Sequence, residues 1–215
     1  MEITLERKLT RRTRAIIIQH TYGIPADLDQ IVQIAKAAQL PLIEDCCHTL
    51  ASTYKGKLVG SFGVGSFYSF EWGKPVVVGI GGSAIVNEPL LRDELNRQYQ
   101  YFRKPEKASQ AKVQLQYLAH RFLYRPWLFW PVRSLYHAMG ALGAAESNYN
   151  PIVEGQAAED FSLMMGKSLQ QRLNKKLANV QALTERSREI VGAYSKPPAV
   201  DLSIPRGRLI LEFPI

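Results

Sequence analysis

Pro41-Leu42-Ile43-Glu44-Asp45-Cys46-Cys47-His48 is a short apolar run that ends abruptly in acid. Upstream, Ala15-Ile16-Ile17-Ile18-Gln19 is a second run, β-branched and continuous, the pattern expected of a strand buried on both faces. Between them Pro25, Asp27 and Asp29 supply a turn and acidic first-turn residues. Leu28, Ile31, Val32, Ala35 and Ala38 then recur at the spacing of one buried helical face, with Lys36 near the end where it complements the helix dipole. Strand, helix and strand with short connections predict a right-handed βαβ unit in a mainly parallel sheet.

Downstream, Gly56, Gly60, Gly63 and Gly65 punctuate a connection that leads into a third strand, Ser66-Phe67-Tyr68-Ser69-Phe70, and on to Glu71-Trp72-Gly73-Lys74. After Gly81-Gly82, the run Ser83-Ala84-Ile85-Val86-Asn87 predicts a fourth strand paired with the third across the turn that holds Lys74. The predicted class is therefore α/β with a mixed, mostly parallel sheet and flanking helices. The polar residues Asp45, His48, Ser69 and Lys74 all fall at or just beyond strand ends, where open α/β sheets form a ligand crevice.

A charged amphipathic helix is expected from Pro89 to Phe102, broken at Arg103-Lys104-Pro105. Residues 113–142 mix Tyr117, Phe122, Tyr124, Trp127, Phe129, Trp130 and Tyr136 with Arg121, Arg125 and Arg133, interrupted by Pro126 and Pro131. Arginine and proline leave no apolar stretch of ~20 residues, so this is no transmembrane helix. Two readings stay open: a helical insertion packed on the domain or a partner subunit, and an interfacial segment whose arginines face lipid headgroups. Residues 160–194 carry the longest helical pattern, and the tail turns β-like at Arg208-Leu209-Ile210-Leu211-Glu212-Phe213, where the chain is expected to be cut short.

The 215 residues are 46% hydrophobic and 21% charged, as in folded soluble proteins rather than disordered ones. A net charge of +8 invites a nucleic-acid partner, but the basic residues are scattered and match no nucleic-acid motif, so that partner is not expected. Cys46 and Cys47 are adjacent and cannot close a useful loop, which favours a reducing compartment. Met1 to Lys8 lacks the apolar core of a secretory signal. A cytoplasmic location follows, with membrane-peripheral contact through 113–142 as the alternative. No metal site is expected.

The chemistry rests on three groups. An amine at Lys74, placed at the end of a strand, can lose its proton when desolvated and form a Schiff base with an aldehyde. A carboxylate at Asp45 closes a buried strand and is costly without a cation, which a protonated pyridine nitrogen would supply. The Ser69 hydroxyl can donate to a phosphate. Aldehyde, ring nitrogen and phosphate together describe pyridoxal 5'-phosphate. His48 can touch the ring hydroxyl. The plainer alternatives are a surface lysine, a loop-capping aspartate, a strand serine bonded to local backbone and a satisfied core histidine.

These residues resemble the pyridoxal-phosphate nucleotide-sugar aminotransferases of fold type I, the DegT/DnrJ/StrS family. The resemblance spans roughly residues 9–100. It is carried by Thr13-Arg14-Ala15-Ile16-Ile17-Ile18, His20-Thr21-Tyr22-Gly23-Ile24-Pro25-Ala26-Asp27-Leu28-Asp29, Pro41-Leu42-Ile43-Glu44-Asp45, Tyr54-Lys55-Gly56-Lys57-Leu58-Val59-Gly60-Ser61-Phe62-Gly63, Ser69-Phe70, Gly73-Lys74 and Gly81-Gly82 in one order and register. It implies that Lys74 binds the cofactor and moves protons between cofactor and substrate carbons, that Asp45 binds the pyridine nitrogen, and that Ser69 binds phosphate. A glutamine usually stands at the position of His48. A dehydratase branch of the family replaces the lysine by histidine, so Lys74 points to amino transfer.

The resemblance further implies amino transfer, commonly from glutamate, to a keto group on a nucleotide-linked sugar, in amino-sugar or cell-surface polysaccharide synthesis, by a homodimer with sites at the subunit interface. On this reading residues 1–105 are part of the cofactor-binding large domain, 106–150 an aromatic and basic insertion, and 151–215 a long helix and the start of a small C-terminal domain. Two departures stand out. The family's phosphate loop and ring-stacking aromatic lie upstream of anything here, and Asp160 stands near the place of an asparagine that reaches the phosphate across the dimer. The alternative function is a catalytically inactive partial homologue that serves as a binding module.

Overall fold

The computed structural model describes residues 5–123, 125–141 and 162–194. Asp160, the β-like tail and residues 142–161 lie outside the described residues.

A short helix, α1 (Leu5–Lys8), precedes strand β1 (Ile16–Gln19), helix α2 (Leu28–Ala37) and strand β2 (Leu42–Asp45). A small antiparallel hairpin, β3 (Thr53–Tyr54) with β4 (Lys57–Leu58), interrupts the glycine-rich connection. Then come β5 (Gly65–Ser69) and β6 (Gly82–Val86). The main sheet has the order β1-β2-β5-β6, with β1, β2 and β5 parallel and β6 antiparallel to β5. The mixed, mostly parallel sheet expected from the sequence is present.

Because side chains alternate across a strand, the register sorts the sheet into two unlike faces. Ile16, Ile18 and Leu42 point to one face and form a core with Leu28 and Ala35 of α2, Cys46 and Val59. Ile17, Ile43, Gly65 and Val86 share one row of the other face, and Gln19, Asp45, Phe67 and Ala84 the next. None of the apolar side chains of that second face joins either buried cluster, and Ile17 is 64% exposed. The expectation that β1 is buried on both faces is thus corrected: α2 covers one face, and no described element buries Ile17 on the other.

Glu44 sits at the centre of the covered face, fully buried. One carboxylate oxygen accepts the Gly60 N–H at 2.7 Å and a bond from His20 Nε2 at 3.2 Å; the other accepts the N–H groups of Phe62 and Gly63 at 2.6 and 2.8 Å. His20 Nδ1 accepts the Ala26 N–H, so Nε2 carries the proton it gives to Glu44. The loop thus caught approaches its neighbours too closely for side chains. A Cβ on Gly60, whose φ is +95°, would lie 2.2 Å from the Tyr68 hydroxyl, and one on Gly63 would lie 2.2 Å from the Leu42 carbonyl oxygen.

The remaining chain is helical: α3 (Pro89–Gln100), α4 (Lys107–Leu123), a 3₁₀ turn at Pro126–Leu128, α5 (Phe129–Ala141), α6 (Lys167–Leu177) and α7 (Val180–Tyr194). The single helical pattern expected over 160–194 is two helices. They part at Ala178–Asn179, where the Asn179 side-chain amide satisfies the carbonyl of Lys175 at the end of α6. A second core unites Val113 of α4 and Leu169 and Leu173 of α6 with Phe70, Val76 and Val78, which flank Lys74.

Burial pushes the Glu44 carboxyl upward, but the bonds from His20, Gly63, Gly60 and Phe62 outweigh it and hold the group below its ordinary value of 4.5. A depressed native pKa adds stability that is present above pH 4.5 and lost as pH falls through the native value. Glu44→Ala orphans three backbone donors as well. At about 1–3 kcal/mol each, urea denaturation at pH 7 should show a loss of about 3 kcal/mol or more. The gap between wild type and variant should narrow in acid, and an unchanged midpoint at pH 7 would contradict this role.

Candidate functional site

Asp45 is the last residue of β2, one position after Glu44, and alternation turns it to the opposite, open face. Its Oδ1 accepts the Cys47 N–H at 3.0 Å and its Oδ2 the Gln19 side-chain amide at 3.1 Å, which fixes the orientation of the carboxylate. Ser69 ends β5 opposite Gly82, two residues beyond Phe67, which pairs with Asp45; Ser69 and Asp45 therefore belong to the same face.

Lys74 follows in a turn closed by its own N–H to the Glu71 carbonyl at 3.3 Å. Buried Phe70 precedes the turn and buried Val76 and Val78 follow it, with Val78 N–H bonded to the Phe70 carbonyl at 2.9 Å. Trp72 in the turn stacks on Tyr117 and packs on His120 of α4, at centroid distances of 6.3 and 4.6 Å. From α6 the Arg172 guanidinium lies 3.6 Å from the centre of the Tyr117 ring, donates to the Val78 carbonyl at 2.9 Å, and bonds the Gln114 side chain. A cation over an aromatic face, tied at both ends, braces the lysine turn from behind. Sequence reasoning missed this brace, since its parts come from Trp72, Tyr117 and Arg172, far apart in the chain.

The Lys74 Nζ lies 2.8 Å from His48 Nε2. His48 has its pKa lowered, first by burial and then by the Lys74 charge, with Asp45 partly opposing, so its ring accepts from the lysine. The charges of Lys74 and Asp45 both bear on His48 and on Cys47. The structure therefore brings Asp45, His48 and Lys74 together around one spot, and places Ser69 on the same face. His48 Nδ1 is buried without a hydrogen-bond partner, and Tyr22 lies beside the ring at 5.3 Å. A fixed carboxylate, an amine and an unsatisfied imidazole nitrogen suit a ligand with a basic ring nitrogen, an aldehyde and a ring hydroxyl; they fit pyridoxal phosphate.

His20, Glu44 and Cys46 also converge, with their ligand atoms all within 4.8 Å. Metal binding would require breaking the bonds that Glu44 and both His20 nitrogens already make, so this cluster is the framework described above.

Residues 2–119, more than half of the chain, match the DegT/DnrJ/EryC1/StrS aminotransferase family. The chain belongs to this family. Pyridoxal phosphate is the cofactor of DegT/DnrJ/EryC1/StrS aminotransferases. Among curated relatives, the chain is 45% identical over 89 residues to GDP-perosamine synthase of Escherichia coli O157:H7, covering 41% of this chain and 24% of that protein. It is 38% identical over 87 residues to L-glutamine:2-deoxy-scyllo-inosose aminotransferase of Micromonospora echinospora, covering 40% and 21%. The chain thus spans about a quarter of the length of these relatives. Among solved structures, an aminotransferase from Psychrobacter cryohalolentis is 32% identical, with a TM-score of 0.44 over 46% of this chain and 25% of that one.

Both cysteines are free thiols. Burial, then the Glu44 charge, pushes Cys46 up to about 11; burial, then the bond and charge of Asp45, pushes Cys47 up to about 12. Since the thiolate is the reactive form, iodoacetamide at pH 8 should label the folded protein about a hundredfold more slowly than the urea-unfolded chain. Rapid labelling of Cys47 in the folded state would contradict the environment described for Asp45.

Proposed function

We infer that this chain supplies the lysine-and-aspartate part of a pyridoxal-phosphate site for transferring an amino group to a keto sugar carried on a nucleotide. The observation that carries the reading is the 2.8 Å contact of Lys74 with His48, three residues along the chain from Asp45, which strand alternation turns away from the α2-packed core. Family membership and the names of the relatives support an amino-sugar product. Glutamate as amino donor, assembly as a homodimer, a cytoplasmic setting and a role in surface polysaccharide or amino-sugar synthesis belong to the same proposal.

Bound at this spot, pyridoxal phosphate would supply an aldehyde that exchanges amines and a ring that withdraws electrons from a carbon losing its proton. Asp45 would hold a proton on the ring nitrogen through a charge-assisted bond, with Gln19 and the Cys47 N–H keeping the carboxylate aimed. Lys74 would anchor the aldehyde carbon through its Nζ and afterwards carry a proton from the donor carbon to the acceptor carbon. His48, bonded to Lys74 by one nitrogen, has the other free for the ring hydroxyl. Ser69 would donate to the phosphate. Lysine rather than histidine at position 74 favours amino transfer over the dehydratase chemistry of the family's other branch.

A second reading has its own observation. The face that carries Asp45 and Ser69 also carries Ile17, 64% exposed, and no described element buries it. A binding module that keeps the fold without turnover would leave such a face for a partner.

Titration of the full chain with pyridoxal phosphate separates the two. The first reading predicts a visible absorption band that Lys74→Ala abolishes, and an affinity lowered about ten- to a hundredfold in Asp45→Asn, the value of one bond to a charged group. A spectrum identical in wild type and Lys74→Ala would favour the module.

A further inference from the structure

We propose that α4, the following 3₁₀ turn and α5 form a docking surface for an anionic lipid membrane. Helix α4 has two apolar faces. Val113, Tyr117 and His120 face inward to the second core, Trp72 and Arg172. Leu115, Leu118 and Phe122 follow helical spacing on the opposite side and are exposed, Phe122 by 62%. Beyond α4, Trp127 of the 3₁₀ turn and Trp130 of α5 are exposed as well, by 77% and 70%.

Charge identifies the occupant. From Lys107 to Ala145 every aspartate or glutamate is missing, and the charged residues are Lys107, Lys112, Arg121, Arg125 and Arg133 alone. On the helical wheel Lys112 and Arg121 fall on either flank of the outer stripe of α4, about 80–100° from its centre. The Arg121 guanidinium lies 6.0 Å from the centre of the exposed Phe122 ring, where its head reaches headgroups while its stem lies along the hydrocarbon boundary. The Arg133 guanidinium lies 5.9 Å from the centres of both the Phe129 and Trp130 rings, which sets a cation beside an exposed indole. Tryptophan and arginine at one level suit the bilayer interface, and a cationic, acid-free surface suits anionic headgroups. A second copy of the chain is the poorer occupant, because this segment would meet its own cations without a carboxylate to pair them. No helix among the described residues is long and apolar enough to cross a membrane, so the contact is peripheral.

The test is sedimentation of the full chain with vesicles of phosphatidylcholine alone and of phosphatidylcholine mixed with phosphatidylglycerol. Binding is expected only to the mixed vesicles and should weaken with added salt. Arg121→Glu, Arg125→Glu and Arg133→Glu together should reduce it on the order of a hundredfold, and Trp127→Ala with Trp130→Ala by about tenfold or more. Circular dichroism should remain unchanged, because these side chains are exposed. Independently of any variant, brominated lipid should quench part of the tryptophan emission of the unmodified chain. The proposal is overturned by equal partition onto both vesicle types, by absence of quenching, or by a chain that stays off vesicles while the two tryptophan substitutions convert a dimer to a monomer in the ultracentrifuge.

Discussion

One buried carboxylate organises the sheet and the site. Glu44 accepts three backbone N–H groups from the 60–63 loop and a fourth bond from His20, so a charge that would be costly in the core becomes the anchor of that loop. That loop leads directly into β5, and its Gly60 and Gly63 carbonyls receive the Asn87 side chain from the end of β6. Since neighbouring strand residues point to opposite faces, holding Glu44 in the core obliges Asp45 to face the open side. A spacing of one residue thus separates the buried carboxylate from the one that faces the open side.

Lys74 is fixed by a different means. Its turn has few bonds of its own and is placed by packing: Phe70 before it and Val76 and Val78 after it enter a core with α4 and α6, and Tyr68 packs against both cores. The Trp72, Tyr117 and Arg172 stack closes the back of the turn. A side chain held by rigid elements outside the crevice is what pre-organised chemistry requires. The same α4 that braces the lysine turn on its inner face carries the cationic, aromatic surface on its outer one, so one helix links the two features.

Much of this was legible in the chain. Apolar runs at 15–19 and 41–45 with the 28–38 helical face between them gave the βαβ unit, and the strand ends pointed to Asp45, His48, Ser69 and Lys74 as candidate site residues. The exposure of Ile17 was not, because a continuous β-branched run looks the same whether one or both faces are covered. Glu44 was hidden by its neighbour: two adjacent acids at a strand end resemble one acidic cap. The available signal was its alternation with Leu42 on the apolar face, ahead of a glycine-rich loop able to offer N–H donors. The 3–4 hairpin fell below pattern detection at two residues per strand. The break at Asn179 was masked by leucine spacing that runs unbroken through it.

The central proposal is that Lys74 and Asp45 serve a single pyridine ring. The most direct measurement is borohydride reduction of the full chain incubated with pyridoxal phosphate, followed by peptide mapping. The label is expected on Lys74, and should be lost from that peptide when Asp45 is replaced by asparagine at limiting cofactor. Label spread over the other lysines, with Lys74 unmarked, would contradict it.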